Sequence, residues 1–413
     1  MKGAYSISAP ESLYTKIDLP ASKSISNRAL VLKALAHGTQ PLDNIADCDD
    51  TMVIIKAFHE EREVIDIKAA GTAMRFLAAF YSTQPGTHIL TGTERMKQRP
   101  IGILVEALRQ LGAQIDYVEK EGFPPLQITG AQLKSKGLTL PGDVSSQYIS
   151  ALLMIAPTLP DGLTLRLLGK VTSLPYIDMT LQLMKDFGAT ANRDNLQDPM
   201  TISVQTGNYQ DIPFIIENDW SAASYWYEMV ALSQAPQARV SLPHLKKGST
   251  QGDWKGADVF SQLGVQTEFT PEGIYIYKQG KSVEKLEHDF TKIPDLAQTF
   301  TVTCCMMGIP FLFTGLHTLR IKETDRISAL INELRKLGYV LRADGDNALL
   351  WEGERCKPQD QPVIATYDDH RMAMAFAPAA LRMPQITIEH PEVVSKSYPR
   401  YWEDLQQAGF KIG

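Results

Sequence analysis

Leu104-Val105-Glu106-Ala107-Leu108-Arg109-Gln110-Leu111-Gly112-Ala113-Gln114-Ile115-Asp116-Tyr117-Val118 decides the fold. Apolar residues at 104, 105, 108 and 111 recur at three- and four-residue steps, which predicts a helix. Gly112 ends it, because glycine takes the left-handed conformation after a last turn at no steric cost. From 113 onward apolar and polar residues alternate, which predicts a strand. The same order of events returns along the chain. Residues 181–187 run into Gly188, 259–263 into Gly264, 330–337 into Gly338 and 405–408 into Gly409, with strands predicted at 265–269 and 339–342. The glycines stand 76, 76, 74 and 71 residues apart. So even an interval with one punctuation predicts a repeated unit rather than chance recurrence of a common helix stop. Residues 53–58 predict a sixth such helix that no glycine closes, hence a trimmed copy.

Six mixed helix–strand units suit two domains of three units each, with sheets outside and helices inside. The chain has 413 residues, too many for one ordinary core. The polar stretch Lys246-Lys247-Gly248-Ser249-Thr250-Gln251-Gly252 is the expected crossover. The expected domains are therefore 1–20 plus 250–413, which is discontinuous, and 21–249, which holds the trimmed repeat.

Composition narrows the function. The formal net charge is −6, which argues against a general nucleic-acid or membrane-surface binder. Any basic site must be a local concentration of Lys and Arg. The cysteines, Cys48, Cys304, Cys305 and Cys356, lack C-x-x-C spacing and read as reduced thiols of a cytoplasmic protein. Residues 1–12 hold no apolar core of a secretory signal. The longest apolar stretch, 302–313, is too short to span a bilayer and predicts a core helix followed by a strand.

Local concentrations of basic and polar groups do recur, most of them at predicted helix starts. Ser22-Lys23-Ser24-Ile25-Ser26-Asn27-Arg28 follows Leu19-Pro20 and leads into an apolar helix predicted to stop at Gly38. Free backbone N–H groups, hydroxyls and two cations meet there, with Lys23 expected in the preceding loop and Ser24 and Arg28 on one helix face. Ala70-Gly71-Thr72-Ala73-Met74-Arg75 is a second such helix start, with Thr72 able to cap it. In Arg95-Met96-Lys97-Gln98-Arg99-Pro100 the cations alternate, so an extended chain would align all three. Val144-Ser145-Ser146-Gln147-Tyr148 offers a neutral cradle of hydroxyls and an amide. Arg320-Ile321-Lys322-Glu323-Thr324-Asp325-Arg326 opens a helix, with Lys322 and Arg326 expected on one face. Tyr367-Asp368-Asp369-His370-Arg371-Met372-Ala373-Met374 and Ser395-Lys396-Ser397-Tyr398-Pro399 complete the set. Singly, each reads as a capped or solvated helix end. Together, cations crowd first turns, where they oppose the helix dipole, and that calls for an anion absent from the sequence. No Walker A sequence, no G-x-G-x-x-G after a strand and no kinase signature is present.

In this order the motifs resemble those of the 5-enolpyruvylshikimate-3-phosphate synthase family, from Leu19 to the C-terminus. Pro175-Tyr176-Ile177-Asp178 is also in place. The resemblance implies an α/β (α+β) fold: a two-domain inside-out α/β barrel of six β-α-β-α-β-β repeats, three per domain, closing over a cleft. It implies transfer of the enolpyruvyl group of phosphoenolpyruvate to the 5-hydroxyl of shikimate 3-phosphate through a tetrahedral intermediate, with no cofactor and no metal. By position, shikimate 3-phosphate would meet Lys23, Ser24, Arg28, Ser145, Ser146, Gln147, Ser173, Tyr176, Asp295, Thr318 and Lys322. Phosphoenolpyruvate would meet Lys23, Gly71, Arg99, Gln147, Arg326, Arg371 and Lys396. Asp295 is the candidate base and Glu323 the candidate proton donor. Lys23 is expected to be crowded by cations and to exchange a proton. A cytoplasmic monomer without nucleic-acid or membrane partners is implied. The sequence departs from the family's usual residues at Ala69, Phe76 and Thr318. The competing readings are an enolpyruvyl transferase acting on a UDP-amino sugar, a non-catalytic anion binder, and an RNA-end-processing enzyme.

Overall fold

The computed structural model describes residues 3–60, 62–194 and 199–413. The chain divides into two units, Met1–Pro20 with Glu217–Gly413, and Ala21–Ile216. Five four-stranded sheets share one plan. The first strand is parallel to the second, the second antiparallel to the third, and the third antiparallel to the edge strand. In each sheet the edge strand is the one that follows a repeat glycine: Gln114–Tyr117, Ala191–Asp194, Val265–Thr270, Arg342–Asp344 and Lys411–Ile412. All five glycines have positive φ, between 81° and 100°. At Gly112, Gly188, Gly338 and Gly409 the next residue's N–H also reaches back to the helix, as from Ala113 to the Leu108 carbonyl at 3.0 Å. That double closure satisfies the last carbonyls and aims the chain back along the sheet.

Gly38 works differently. Its helix, Lys23–Leu35, ends through His37, which takes the left-handed conformation at φ 50°. Gly38 follows it and lies against the Asp211 carboxylate, which accepts the N–H groups of Thr39 and Gln40.

The trimmed copy is a two-stranded sheet, Leu42–Asp43 beside Phe214–Ile215. Its helix Asp49–His59 leads straight into Val64–Asp66, the first strand of the next sheet, so the antiparallel pair is missing.

The second crossover lies at Ile216–Glu217 and not at 249–250. The helix Trp220–Leu232 is buried along its length in the core of the first unit, with Trp220, Tyr225 and Trp226 nearly inaccessible. The strand Arg239–Pro243 pairs with Tyr14–Lys16 and with Gly273–Lys278. Residues 217–249 are therefore a helix and a strand of that unit. The polar stretch at 246–252 is tied into it: the Gln251 amide donates to the Asn218 carbonyl at 2.8 Å and Ser249 to Glu217 at 2.8 Å. The N-terminal strands Ala4–Ser8 and Tyr14–Lys16 complete two sheets of the same unit, which makes it discontinuous.

Helices lie inside and sheets outside. Gly71–Thr83, Ser146–Ile155 and Ala297–Met307 are buried almost throughout, whereas strands such as Leu138–Pro141 alternate buried and exposed. A helix apolar all round needs cover on every side, and sheets with one wet face provide it. Among the described residues no helix is long and apolar enough to cross a membrane.

Candidate active site

In the unit Ala21–Ile216, Ser22 caps the first helix by accepting the Ile25 N–H at 3.3 Å. Lys23 is the first helical residue rather than part of the preceding loop. Its ammonium lies 3.1 Å from Asp50, so a carboxylate faces it. Arg28 is buried. Its guanidinium donates to the Ser24 carbonyl (2.9 Å), the Thr180 hydroxyl (2.7 Å) and the Ser150 hydroxyl (3.2 Å). Phe76, one of the departures from the family pattern, presents its ring 5.2 Å from the Arg28 guanidinium carbon. No ion pair involves Arg28 among the described residues, and burial, partly offset by Tyr176, pulls its pKa down to about 10. A buried cation held only by neutral groups is left uncompensated, which favours an anionic partner.

The helix Gly71–Thr83 starts without a side-chain cap, so its first N–H groups stay available. Thr72 is no cap; its hydroxyl accepts from the Gln147 amide at 3.2 Å. Gly71 lies close against Arg99: a Cβ there would stand 2.6 Å from the guanidinium, which would have to move aside. Arg99, Gly71, Thr72 and Gln147 thus form one group. The basic loop is not extended: Thr93 caps the turn of helix Glu94–Lys97, which turns Lys97 to Glu94 and Glu119 and leaves Arg99 buried. Arg75 points inward, to the Gly71 and Pro100 carbonyls. Ser145 caps the helix Ser146–Ile155, and Ser146 is buried at its first position. Ser173, at φ 54°, precedes the helix Leu174–Asp186, which carries Tyr176. The segments leading into these two helices are joined by the Thr172 N–H, which donates to the Gly142 carbonyl at 3.0 Å. The buried Thr172 hydroxyl lacks a hydrogen-bond partner among the described residues.

The unit that holds the C-terminus carries a different arrangement. Asp295 lies in the short turn Pro294–Leu296, just before the helix Ala297–Met307. It faces Arg371 at 3.0 Å, Arg326 at 3.1 Å and Lys322 at 3.6 Å. Burial alone would raise its pKa, but these three cations overcome it and hold the carboxyl well below the usual range. Arg326 is 1% exposed and also grips Asp369 (2.7 Å) and Glu323 (3.0 Å). Glu323 in turn meets Lys396 at 3.1 Å. Asp325, not Lys322, marks the helix start: it caps Arg326–Lys336 through the Ser328 N–H. Lys322 is outside that helix and shares no face with Arg326; the two converge on Asp295 from different elements. The Thr318 hydroxyl oxygen is buried and has no hydrogen-bond partner among the described residues.

Sequence reasoning missed Asp50, Ser150, Thr172, Thr180 and Asp369 as members of these clusters. Asp369 was legible as an N-cap before an apolar helix, and it does accept the Arg371 N–H at 2.9 Å. Thr180 and Ser150 lie inside helices and carry no local signal.

Repeated helix starts that gather charged groups stand here on an inside-out fold that solved enolpyruvyl transferases share. The EPSP synthase of Acinetobacter baumannii has this fold, with a TM-score of 0.78 at 22% identity over 99% of both chains. So does the enolpyruvyl transferase NikO of Streptomyces tendae, with a TM-score of 0.73 at 14% identity over 99% of this chain and 98% of that one. The sequence narrows the class. The family described as EPSP synthase (3-phosphoshikimate 1-carboxyvinyltransferase) matches residues 7–62 and 55–405. The 3-phosphoshikimate 1-carboxyvinyltransferase of Bacteroides fragilis is 60% identical over 408 residues, 99% of this chain and 98% of that protein. Its counterpart from Vibrio cholerae is 36% identical over 418 residues, 95% of this chain and 96% of that protein. The chain belongs to the EPSP synthase family.

Proposed function

We infer that the protein transfers the enolpyruvyl group of phosphoenolpyruvate to the 5-hydroxyl of shikimate 3-phosphate and releases phosphate, a step of aromatic amino acid biosynthesis. The family match and the relatives support this transferase activity over the UDP-amino-sugar and RNA-end readings. One observation carries the chemistry: Asp295, a mostly buried carboxylate, is kept ionised by three cations yet keeps 16% of its side chain exposed.

In this reading Ser24 and Arg28 receive the shikimate carboxylate. Ser145, Ser146 and Ser173 receive its phosphate, with Gln147 and Tyr176 beside it. Asp295, Thr318 and Lys322 take its hydroxyls. Lys23, Gly71, Arg99, Gln147, Arg326, Arg371 and Lys396 take phosphoenolpyruvate. Asp295 removes the proton of the 5-hydroxyl as its oxygen adds to C2, while Glu323 protonates C3. In the second step the roles reverse: Glu323 takes a proton from C3 as the C2–O bond to phosphate breaks and C2=C3 forms, and the proton held by Asp295 passes to the departing phosphate. A phosphoenolpyruvate anion that draws Arg326 and Arg371 toward itself relieves Asp295 of part of its cation field, so the base strengthens as substrate arrives. Lys23 exchanges its Asp50 partner for substrate and passes a proton with the phosphate or the hydroxyl. A cytoplasmic monomer without nucleic-acid or membrane partners completes the proposal.

Phosphate release from phosphoenolpyruvate, with and without shikimate 3-phosphate, tests it. Release that needs shikimate 3-phosphate and collapses in Asp295→Ala supports the reaction and the base. Binding of both anions without release would favour the non-catalytic reading.

A further inference from the structure

Arg371 stands just after a turn that its own residues disfavour. The strand Val363–Ile364 runs into Thr366-Tyr367-Asp368-Asp369, where the Asp369 N–H donates back to the Thr366 carbonyl at 2.9 Å. Both central residues are left-handed, Tyr367 at φ 55° and Asp368 at φ 54°. That is the pattern of a type I′ turn, which asks for Asn-Gly or a similar pair. Asp tolerates the conformation, whereas Tyr is strained in it. The helix His370–Phe376 starts directly after the turn. Asp369 caps it by accepting the Arg371 N–H at 2.9 Å and faces Arg326 at 2.7 Å, while Arg371 reaches Asp295 at 3.0 Å. Any relaxation of the turn is therefore passed on to Arg371.

What holds the turn comes from outside it. Glu333, on the helix Arg326–Lys336, is fully buried. One of its carboxylate oxygens accepts the Tyr367 hydroxyl at 2.7 Å; the other accepts the Ala365 N–H at 3.0 Å and the Lys336 ammonium at 2.6 Å. Lys336 donates in addition to the Val363 carbonyl at 2.9 Å. The approach to the turn is thus gripped at 363, 365 and 367. Arg326, seven residues before Glu333 and so about two turns along the same helix face, holds Asp369 at the turn's other end. One helix clamps both ends of the turn. A buried carboxylate needs hydrogen bonds to be tolerated, and those of Glu333 go to this segment and to Lys336, which binds the same segment.

We propose that Glu333 is a positioning residue for phosphoenolpyruvate: through the Ala365 N–H and the Tyr367 hydroxyl it holds the left-handed turn that sets Asp369 and Arg371 in place. The proposal rests on the assignment of Arg371 to phosphoenolpyruvate made above. Glu333 touches neither substrate in it and acts through the turn alone.

The test is the KM for each substrate, measured by shikimate-3-phosphate-dependent phosphate release, in the wild type, Glu333→Ala, Tyr367→Phe, and a triple variant that adds Tyr367→Asn and Asp368→Gly to Glu333→Ala. Glu333→Ala should raise the KM for phosphoenolpyruvate about 10-fold, as expected of a displaced binding group, and leave that for shikimate 3-phosphate within about 2-fold. Tyr367→Phe, which removes one of the two bonds from Glu333 to the segment, should raise it about 3-fold. Asn-Gly closes a type I′ turn by local preference, so the triple variant should recover most of the loss. A merely structural role for Glu333 in the core would not be restored by two substitutions at exposed positions of a turn. A phosphoenolpyruvate KM unchanged in both Glu333→Ala and Tyr367→Phe overturns the proposal. So does an equal rise for both substrates, or a loss that the triple variant does not recover. Should Glu333→Ala fail to fold, Tyr367→Phe decides alone: a rise confined to phosphoenolpyruvate supports the proposal and an unchanged KM overturns it. A wild type that releases no phosphate would overturn the assigned activity and this inference together; an active wild type whose variants keep its KM overturns the inference only.

Discussion

Arg28 and Arg326 are both buried arginines near helix starts, one in each unit, and their surroundings are opposite. Arg28 has two hydroxyls, a carbonyl and an aromatic face. Arg326 has three carboxylates, Asp295, Glu323 and Asp369. Burial lowers the pKa of the first; the carboxylates raise that of the second despite its burial. The first arrangement leaves its positive charge for a ligand to neutralise, at a standing cost to the free protein. The second neutralises its cations internally and places carboxylates where protons can be exchanged. In the proposed reaction the first serves as a receptor and the second as the reactive centre.

The comparison breaks most visibly at Asp295. Asp295→Asn should lower kcat by about 10³-fold, within the range general acid–base catalysis supplies, while leaving the KM for phosphoenolpyruvate unchanged or lower, because Arg326 and Arg371 lose a competitor. A fall in kcat/KM driven by KM instead would make Asp295 a binding group.

Arg326→Met should cost about 3–5 kcal/mol of folding stability, since it strands buried carboxylates. Arg28→Met should cost no more than about 1 kcal/mol, because Thr180 still donates to Ser150 at 2.8 Å and no charge is orphaned. Denaturant unfolding of the two variants side by side would reverse the interpretation if Arg28→Met proved the less stable. For shikimate 3-phosphate, Arg28→Met should lose about 10–100-fold in affinity, the worth of charge-assisted hydrogen bonds. Calorimetric titration reads that loss directly.

Acid should discriminate the two centres as well. A carboxyl whose native pKa is depressed stabilises the fold above its unfolded pKa and stops doing so as pH falls through the native value. Asp295 therefore makes its unit acid-sensitive below about pH 4. All five tryptophans, at 220, 226, 254, 351 and 402, lie in that unit, so their fluorescence follows it alone. The acid transition seen by tryptophan should be shallower in Asp295→Asn; an identical transition would assign the sensitivity to other groups.

The smallest effect should come from Thr180→Val, which removes one hydroxyl from Arg28 and keeps the volume. Affinity for shikimate 3-phosphate should fall by roughly 3–10-fold, one hydrogen bond to a charged group, with kcat unchanged. Equal affinity would mean that the guanidinium is oriented by Ser150 and Phe76 without it.

The repeat was written in the sequence because a helix stop is a local event. Each glycine needs only its own positive φ and the carbonyls of the preceding turn, so Gly112, Gly188, Gly264, Gly338 and Gly409 are legible one by one and their interval gives the architecture. The Asp369 and Asp325 caps are local in the same way. Where the sequence misled, a distant partner decided. The crossover lies at 216–217 because Phe214–Ile215 pairs with Leu42–Asp43, some 170 residues away, and because Trp220–Leu232 finds its apolar cover in the other unit. Arg95, Lys97 and Arg99 alternate in sequence, but a single helical turn capped by Thr93 overrides the alternation.

By itself the sequence determined the repeated fold and the family, since these rest on periodicity, punctuation and motif order. Only the tertiary structure decided which charges face one another: that Lys23 meets Asp50, that Arg28 meets hydroxyls, and that Lys322 and Arg326 converge on Asp295 from separate elements. Electrostatic interaction depends on distance through the folded interior and on burial, and neither is a function of separation along the chain.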